Sequence, residues 1–280
     1  MFLLKKIKIN HIICIIFSVI FIFPLILTIT NSFMSIFEIK NNYNNLENQF
    51  MFIRLIPKRI SLNQYFDLLI RNPMYLNLFW NAIKYVIPIV FFNILFSFIT
   101  SYALFRINNK ITDFIFLIYV IVMLMPYQVI CVPNFIIINK LNLMDSYFAI
   151  VLPAIFNPLG TFLLRVYISS IPNSYIESAK IEGASEFDIC FNIVLPMIKS
   201  GIISLFIIMF IEYWNMVEQP LIFLQSKEKF PLSVFLSSIS NKDPSLIFAA
   251  SSFYMIPAII IFLYLQKYFI KGIAMSGLKQ

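Results

Sequence analysis

Six apolar runs divide this chain, at 12–33, 81–105, 114–138, 146–168, 202–223 and 247–270. Each reaches the roughly 20 residues that a helix needs to cross the hydrocarbon core of a bilayer. The fourth is interrupted by Pro153, Asn157, Pro158 and Gly160. A kinked helix packed against protein is expected there, because neighbouring helices can satisfy the carbonyls that proline frees. Between the first two runs lies a long polar connection, 35–80, rich in Asn and containing Pro57, Lys58 and Arg59. It reads as an extracytoplasmic segment with some interfacial structure. A second polar island, 169–200, separates the fourth and fifth runs and carries four carboxylates, Glu177, Glu182, Glu186 and Asp188. The pattern predicts an all-α membrane protein, one transmembrane domain of six helices over 1–280.

Composition agrees with that pattern and narrows the function. With 60% hydrophobic and 12% charged residues and a mean hydropathy of +0.87, a soluble exterior cannot be built from 280 residues. Lys5, Lys6 and Lys8 precede the first run as they would in a signal peptide. The run is longer than a signal-peptide core, however, and no small-x-small cleavage site follows around 31–35, so a retained anchor is expected. The net charge of +8 lies in short stretches between apolar runs and forms no nucleic-acid motif. Contacts with lipid head groups account for it better.

Catalytic and cofactor chemistry finds little support. Cys14 and Cys131 fall in apolar segments and Cys190 in the polar island, which is no disulfide framework. A single histidine, His11, assembles neither a zinc site nor a histidine-based triad. The five glycines contain no Gly-x4-Gly-Lys-Ser/Thr phosphate loop, so the chain is not an ATPase by that route. No cofactor and no metal is expected.

Local chemistry in the polar island predicts two short helices. Ser174-x-x-Glu177 has the spacing of a capping box, with a helix starting at Tyr175 and stopping near Gly183, where a left-handed turn is cheap. Ser185-x-x-Asp188 repeats the device and starts a second helix toward Leu195, before Pro196. Two helices joined at a glycine make an elbow along the membrane surface. Ala179 and Ala184 are small enough to let another protein's groove approach closely.

The order Glu177-Ser178-Ala179, Gly183, then Ile193, Val194, Leu195 and Pro196 resembles the signature loop of the membrane subunits of ATP-binding-cassette importers of the binding-protein-dependent (type I) class. That pattern is Glu-Ala-Ala-x3-Gly-x9-Ile-x-Leu-Pro, with Ser178 here replacing the first alanine. The chain is most similar to the carbohydrate group, in particular the shorter membrane subunit of the maltose type. The resemblance extends through Leu62-Asn63-Gln64-Tyr65, Pro126-x-Gln128, Lys140 to Asp145, Leu163-Leu164-Arg165 and Ile171-Pro172. It continues in Trp214-Asn215, Pro220-Leu221 and the tail Gln266 to Gly272. Asn142, where the group usually has glycine, and Ala274-Met275 depart from it.

The resemblance implies a permease half of an importer in a bacterial cell membrane, with no catalysis of its own. Implied partners are a second permease subunit in a heterodimer, a dimer of the cassette ATPase and an extracytoplasmic solute-binding protein. Residues 174–196, with Glu177, Ser178, Ala179, Gly183, Ala184, Leu195 and Pro196, would couple to the ATPase. The solute would be a carbohydrate or related polyol, and the group does not choose among them. A loop that meets a cytoplasmic ATPase places itself, and with six spans both termini, inside. The overall charge count, eleven of the 21 Lys and Arg on that side, discriminates little, but the short segments 106–113 and 267–280 favour this orientation modestly.

Within the fifth run, Glu212, Asn215 and Gln219 would share one narrow face of a helix, and a carboxyl at that depth is costly without water or a partner. Carboxyls and amides hydrogen-bond sugar hydroxyls, so this stripe is a candidate for the translocation path. A polar seam between subunits, or a bond from Glu212 to Asn93 or Gln128, is equally open. Asn93 and Asn157 read as structural, and Glu218 as solvated near the outer end. An ion-coupled secondary transporter is the rival reading; it would often show an inverted repeat and several deep carboxylates. The sequence has no such repeat, and Glu212 is its single deep carboxylate.

Overall fold

A computed structural model describes residues 9–43, 55–71, 73–238 and 244–277. Lys5, Lys6, Lys8, Lys279 and part of the polar connection 35–80 lie outside the described residues. Fifteen α-helices occur among the described residues, with no β-ladder beyond one bridge between Met34 and Ile60. The chain divides into two compact units, Met1–Asn77 with Phe235–Ile256, and Leu78–Val234 with Pro257–Gln280.

In the first unit, α1 (Ile9–Ser32) is an apolar helix long enough to cross a membrane; its side chains are exposed over 11–26, whereas Asn31 and Ser32 at its end are buried. The chain then turns through α2 (Ile36–Tyr43) and α3 (Asn63–Phe66). Gln64 donates to the Met34 carbonyl and Tyr65 to Ser32 Oγ at 2.7 Å, so α3 is tied back to the end of α1.

The second unit holds the helices that matter for function. The helix α4 (Pro73–Ile107) is continuous through Pro88, and α5 (Lys110–Leu124) starts at a capping box between Asn109 and Thr112. The third expected span, 114–138, is not one straight helix. It breaks at Met125 and resumes as α6 (Tyr127–Lys140) at an angle of 103°. Met125 precedes Pro126 and is extended, as residues before proline are pushed to be.

The fourth span is interrupted where its prolines predict. It consists of α7 (Tyr147–Ile155), capped by Ser146, and α8 (Pro158–Ile168), capped by Asn157 with Pro158 in the first turn. After it come α9 (Asn173–Ile181), α10 (Glu186–Asp188), a widened π-helical turn at Ile189–Val194 and α11 (Leu195–Met197).

The fifth expected span, 202–223, also needs correction. The helix α12 (Lys199–Trp214) ends at Asn215, and α13 (Glu218–Phe223) is a separate piece. The chain finishes through α14 (Leu232–Ser238) and α15 (Pro244–Gly277). Among the described residues four helices are long and apolar enough to cross a membrane, and six if each of two bent pairs counts as one span.

Close packing fixes α8 in this unit. A Cβ on Gly160 would overlap Ser97 Oγ and Asn93 Oδ1, and one on Gly201 would overlap the Tyr167 ring. The missing side chains therefore let Ser97 and Asn93 of α4 seat against Gly160 of α8, and the Tyr167 ring of α8 against Gly201 of α12, as small residues permit in membrane helix packing. Ser101 Oγ adds a 2.8 Å bond to the Thr161 carbonyl.

Candidate functional site

The polar island folds as an elbow whose turn is closed by backbone geometry. Gly183 has φ +82°, the left-handed conformation that glycine adopts without penalty. Its N–H bonds the Lys180 carbonyl at 3.0 Å, and the Ala184 N–H bonds the Ala179 carbonyl at 3.0 Å. These two bonds make a Schellman cap on α9. The second limb starts as its sequence predicts: Ser185 Oγ accepts from the Asp188 N–H at 3.2 Å, and Asp188 accepts from the Ser185 N–H at 3.3 Å.

The first limb differs from expectation. Its N-cap is Pro172, two residues before Ser174, and the Ser174–Glu177 capping box is not formed. Ile171 is buried and pins the entry, so the helix starts as soon as Pro172 supplies an extended cap residue. Pro196 likewise lies inside α11 instead of following the helix. Proline has no N–H to give the carbonyl four residues back, and the π-helical widening falls just before it.

Burial divides the elbow into two faces. Ile176, Ala179, Ile189, Val194 and Ile198 are buried against the protein, whereas Glu177, Ser178, Gly183 and Pro196 are exposed and Ala184 and Leu195 half-buried. Ala179 therefore supports the elbow from below and does not present a small surface to an incoming groove. The outer face carries two apolar side chains that sequence reasoning missed, Ile181 at 88% and Phe187 at 69% exposure. Their signal was legible: large apolar residues beside Gly183, within a segment otherwise polar.

Glu186, also missed, ties the second limb to α4. It accepts from Arg106 Nε at 3.0 Å and again from Arg106 Nη2, from Tyr102 Oη at 2.8 Å, and pairs with Lys180 Nζ at 3.1 Å. The Arg106 guanidinium, then the Tyr102 hydroxyl, hold its carboxyl down at about 2, so it is ionised throughout the physiological range. Burial beneath this cluster pushes the Cys190 thiol up.

The second candidate region is a cavity of about 890 Å³ walled by α5, α6, the α7–α8 break, the end of α12 and α13. Glu212, Asn215 and Gln219 all line it. They do so from two helices and the break between them, not from one stripe, because α12 stops at Trp214. Glu218 and Asn134 line it too, so Glu218 belongs to the same wall.

Neither sequence-proposed partner reaches Glu212. Asn157 Nδ2 does, at 3.3 Å, while also donating to Tyr213 Oη at 3.1 Å. Gln128 approaches Glu218 instead, at 3.5 Å. Asn93 is fully buried and donates to the Ile155 and Asn157 carbonyls, each at 3.1 Å, satisfying groups that the proline break left open. Gln219 Nε2 is directed to the Ile150 carbonyl at 3.2 Å.

Comparison with known proteins gives four findings. The family model "Binding-protein-dependent transport system inner membrane component" matches residues 93–275, which include both the elbow and the cavity. The Arabinooligosaccharides transport system permease protein AraQ of Bacillus subtilis (strain 168) is 31% identical over 94% of this chain and 92% of its own. The Polygalacturonan/rhamnogalacturonan transport system permease protein YtcP of the same organism is 27% identical over 94% of both chains. Among solved structures, a bacterial ABC transporter involved in the import of the acidic polysaccharide alginate aligns with a TM-score of 0.78 and 23% identity, over 93% of this chain and 95% of that one.

Proposed function

This chain belongs to the family of binding-protein-dependent transport system inner membrane components, and we propose that it forms one half of the translocation pathway of a carbohydrate importer, paired with a second, non-identical permease. It is a transport subunit and not an enzyme; family membership implies a separate ATPase and a solute-binding protein as partners. The ion-coupled reading is set aside with that membership.

The observation that carries the coupling role is the elbow's outer face. A segment held rigid by a Schellman cap and a capping box, yet exposing Ile181 and Phe187, is suited to a groove on another protein. ATP-driven closure of the ATPases would push this elbow and alternate the access of the mid-membrane cavity. Because the elbow meets a cytoplasmic protein, it and both termini lie inside, and the turn around Ser226 lies outside. Carbohydrate is favoured as solute by the substrates named for AraQ and YtcP. The carboxyl and amide groups lining the cavity also suit hydroxyl-rich solutes.

Co-purification with the ATPase tests the reading. The double variant Ile181→Glu, Phe187→Ser is expected to insert in the membrane and lose the ATPase; an unchanged ATPase yield overturns the docking assignment. Impermeant maleimide on Ser185→Cys and Ser226→Cys, in a background without Cys14, Cys131 and Cys190, tests orientation. Labelling of the first from inside and the second from outside is expected, and the opposite pattern reverses the topology. The ligand carried by the binding protein identifies the solute.

A further inference from the structure

We propose that Glu186 is a latch through which the elbow moves α4, and that α4 delivers this movement to the cavity wall at Asn157. The proposal rests on the importer reading above and assigns roles to Glu186, Arg106 and Tyr102 that the signature pattern does not contain.

The helix α4 is gripped along two different faces. Phe98, Tyr102 and Arg106 are spaced four apart and so lie along one side of the helix. All three meet the elbow's second limb: Phe98 packs edge-on against Phe191 with centroids 5.8 Å apart, and Tyr102 and Arg106 hold Glu186. Asn93, Ser97 and Ser101, also four apart, lie on another side and meet the α7–α8 break and α8. Arg106 and Asn93 are thirteen residues apart, about 20 Å along a helix.

The far end of this route reaches the cavity. The Asn157 carbonyl accepts from Asn93, while its amide donates to Glu212 and Tyr213. Every joint on the route is a hydrogen bond, an ion pair or a close-packed contact, with no irregular backbone between Asn93 and Arg106. The covalent route from the elbow to the cavity is of a different kind. It passes through the π-helical turn and a 71° bend before entering α12. Such a joint absorbs displacement, whereas the latch on a continuous helix passes it on.

Glu186 also joins the elbow's two limbs, since Lys180 of α9 shares Oε1 with Arg106. A push on either limb therefore loads the same carboxylate.

The test uses the complete assembled transporter in proteoliposomes, without the three native cysteines and with Val217→Cys as a reporter on the cavity wall. Maleimide labelling is timed with and without ATP plus vanadate. In the parent complex, nucleotide trapping is expected to change the labelling rate severalfold. Glu186→Gln and Arg106→Gln should each cut that change at least twofold while trapping nucleotide normally, and the double variant should do no worse than either alone.

A full nucleotide-dependent change in assembled Glu186→Gln overturns the latch. So does a loss that accompanies failed assembly or failed trapping in both single variants, which assigns the cluster to folding alone. No change in the parent complex removes the importer reading itself, and the latch with it.

Discussion

The Asp145 carboxylate pairs with the Lys229 ammonium at 2.7 Å, fastening the turn after α6 to the turn after α13. Asp145 sits at φ +55° and also accepts from the Gln225 and Ser226 amides at 2.9 and 3.0 Å and from Ser226 Oγ at 2.7 Å. One carboxylate thus orders a loop with no regular structure of its own before Lys227. Asp145→Ala is expected to cost roughly 1–2 kcal/mol locally, the lower part of the range for charged hydrogen bonds because Lys229 is half-exposed. Amide exchange at Gln225 and Ser226 should accelerate about tenfold. Lys229, and then the Ser226 amide and hydroxyl, hold the Asp145 carboxyl far below the usual carboxylate range. The clasp therefore contributes fully above that range and weakens only as pH falls through the lowered value. Exchange protection, corrected for intrinsic rate, should be flat between about pH 5 and 8; a loss near neutrality would assign the ordering to another group.

Gly160→Ala tests the contact between α4 and α8. The added methyl would meet Ser97 Oγ and Asn93 Oδ1, and Asn93 cannot yield without releasing the Ile155 and Asn157 carbonyls. A loss of about 1–3 kcal/mol is expected, typical of overpacking. It should appear as a lower unfolding midpoint in detergent. An unchanged midpoint would mean that these two helices are not clamped at Gly160.

Much of this architecture was legible in the sequence where the cause is local. Gly183 and the Ser185–Asp188 box act on their nearest neighbours, so residue type and spacing sufficed to predict the elbow. The break at Asn157 and Pro158 was equally plain. The corner before Pro126 could have been read from the pre-proline rule, but the twelve apolar residues leading to it, 114–125, masked the signal. The end of α12 at Trp214 has no such marker, since the next proline is Pro220. Glu186 and Arg106 lie eighty residues apart, and nothing in either neighbourhood names the other. Ser174 shows the reverse failure: a correct capping pattern overruled by a better anchored start at Pro172.

Gly183→Val separates coupling from folding. The space around the glycine is open, with nothing within 4 Å of an added Cβ, so no packing is lost. The cost comes from the positive φ, about 1–2 kcal/mol for a residue with a Cβ and more for a β-branched one. The relaxed backbone would abandon the Schellman bonds and swing α9 relative to α10. Membrane insertion and assembly are expected to persist while substrate-stimulated ATP hydrolysis falls at least fivefold. Normal stimulation in a well-assembled Gly183→Val complex would contradict the rigid elbow.

Glu212 decides whether the cavity handles solute or only holds helices together. Its contact with Asn157 is long, at 3.3 Å, and Asn157 is independently fixed by Tyr213, Leu159 and Asn93. The break therefore stands without Glu212, and the carboxyl remains available to the cavity. A path-lining role predicts that Glu212→Gln, which keeps shape and hydrogen bonding, shifts the apparent affinity of uptake a few-fold with assembly intact. Glu212→Leu, which presents an apolar face to a hydroxyl-rich solute, should lower uptake at least tenfold with the same assembly. A structural role predicts instead that any loss of uptake follows a loss of assembly, larger for Glu212→Leu, which removes an acceptor of the Asn157 amide, than for Glu212→Gln, which keeps one. Uptake and subunit co-purification measured for both variants, with Glu218→Gln as the second wall carboxyl, separate the two roles. Wild-type uptake by Glu212→Leu would remove this residue from the path and leave Asn134, Asn157, Asn215, Glu218 and Gln219 in its polar lining.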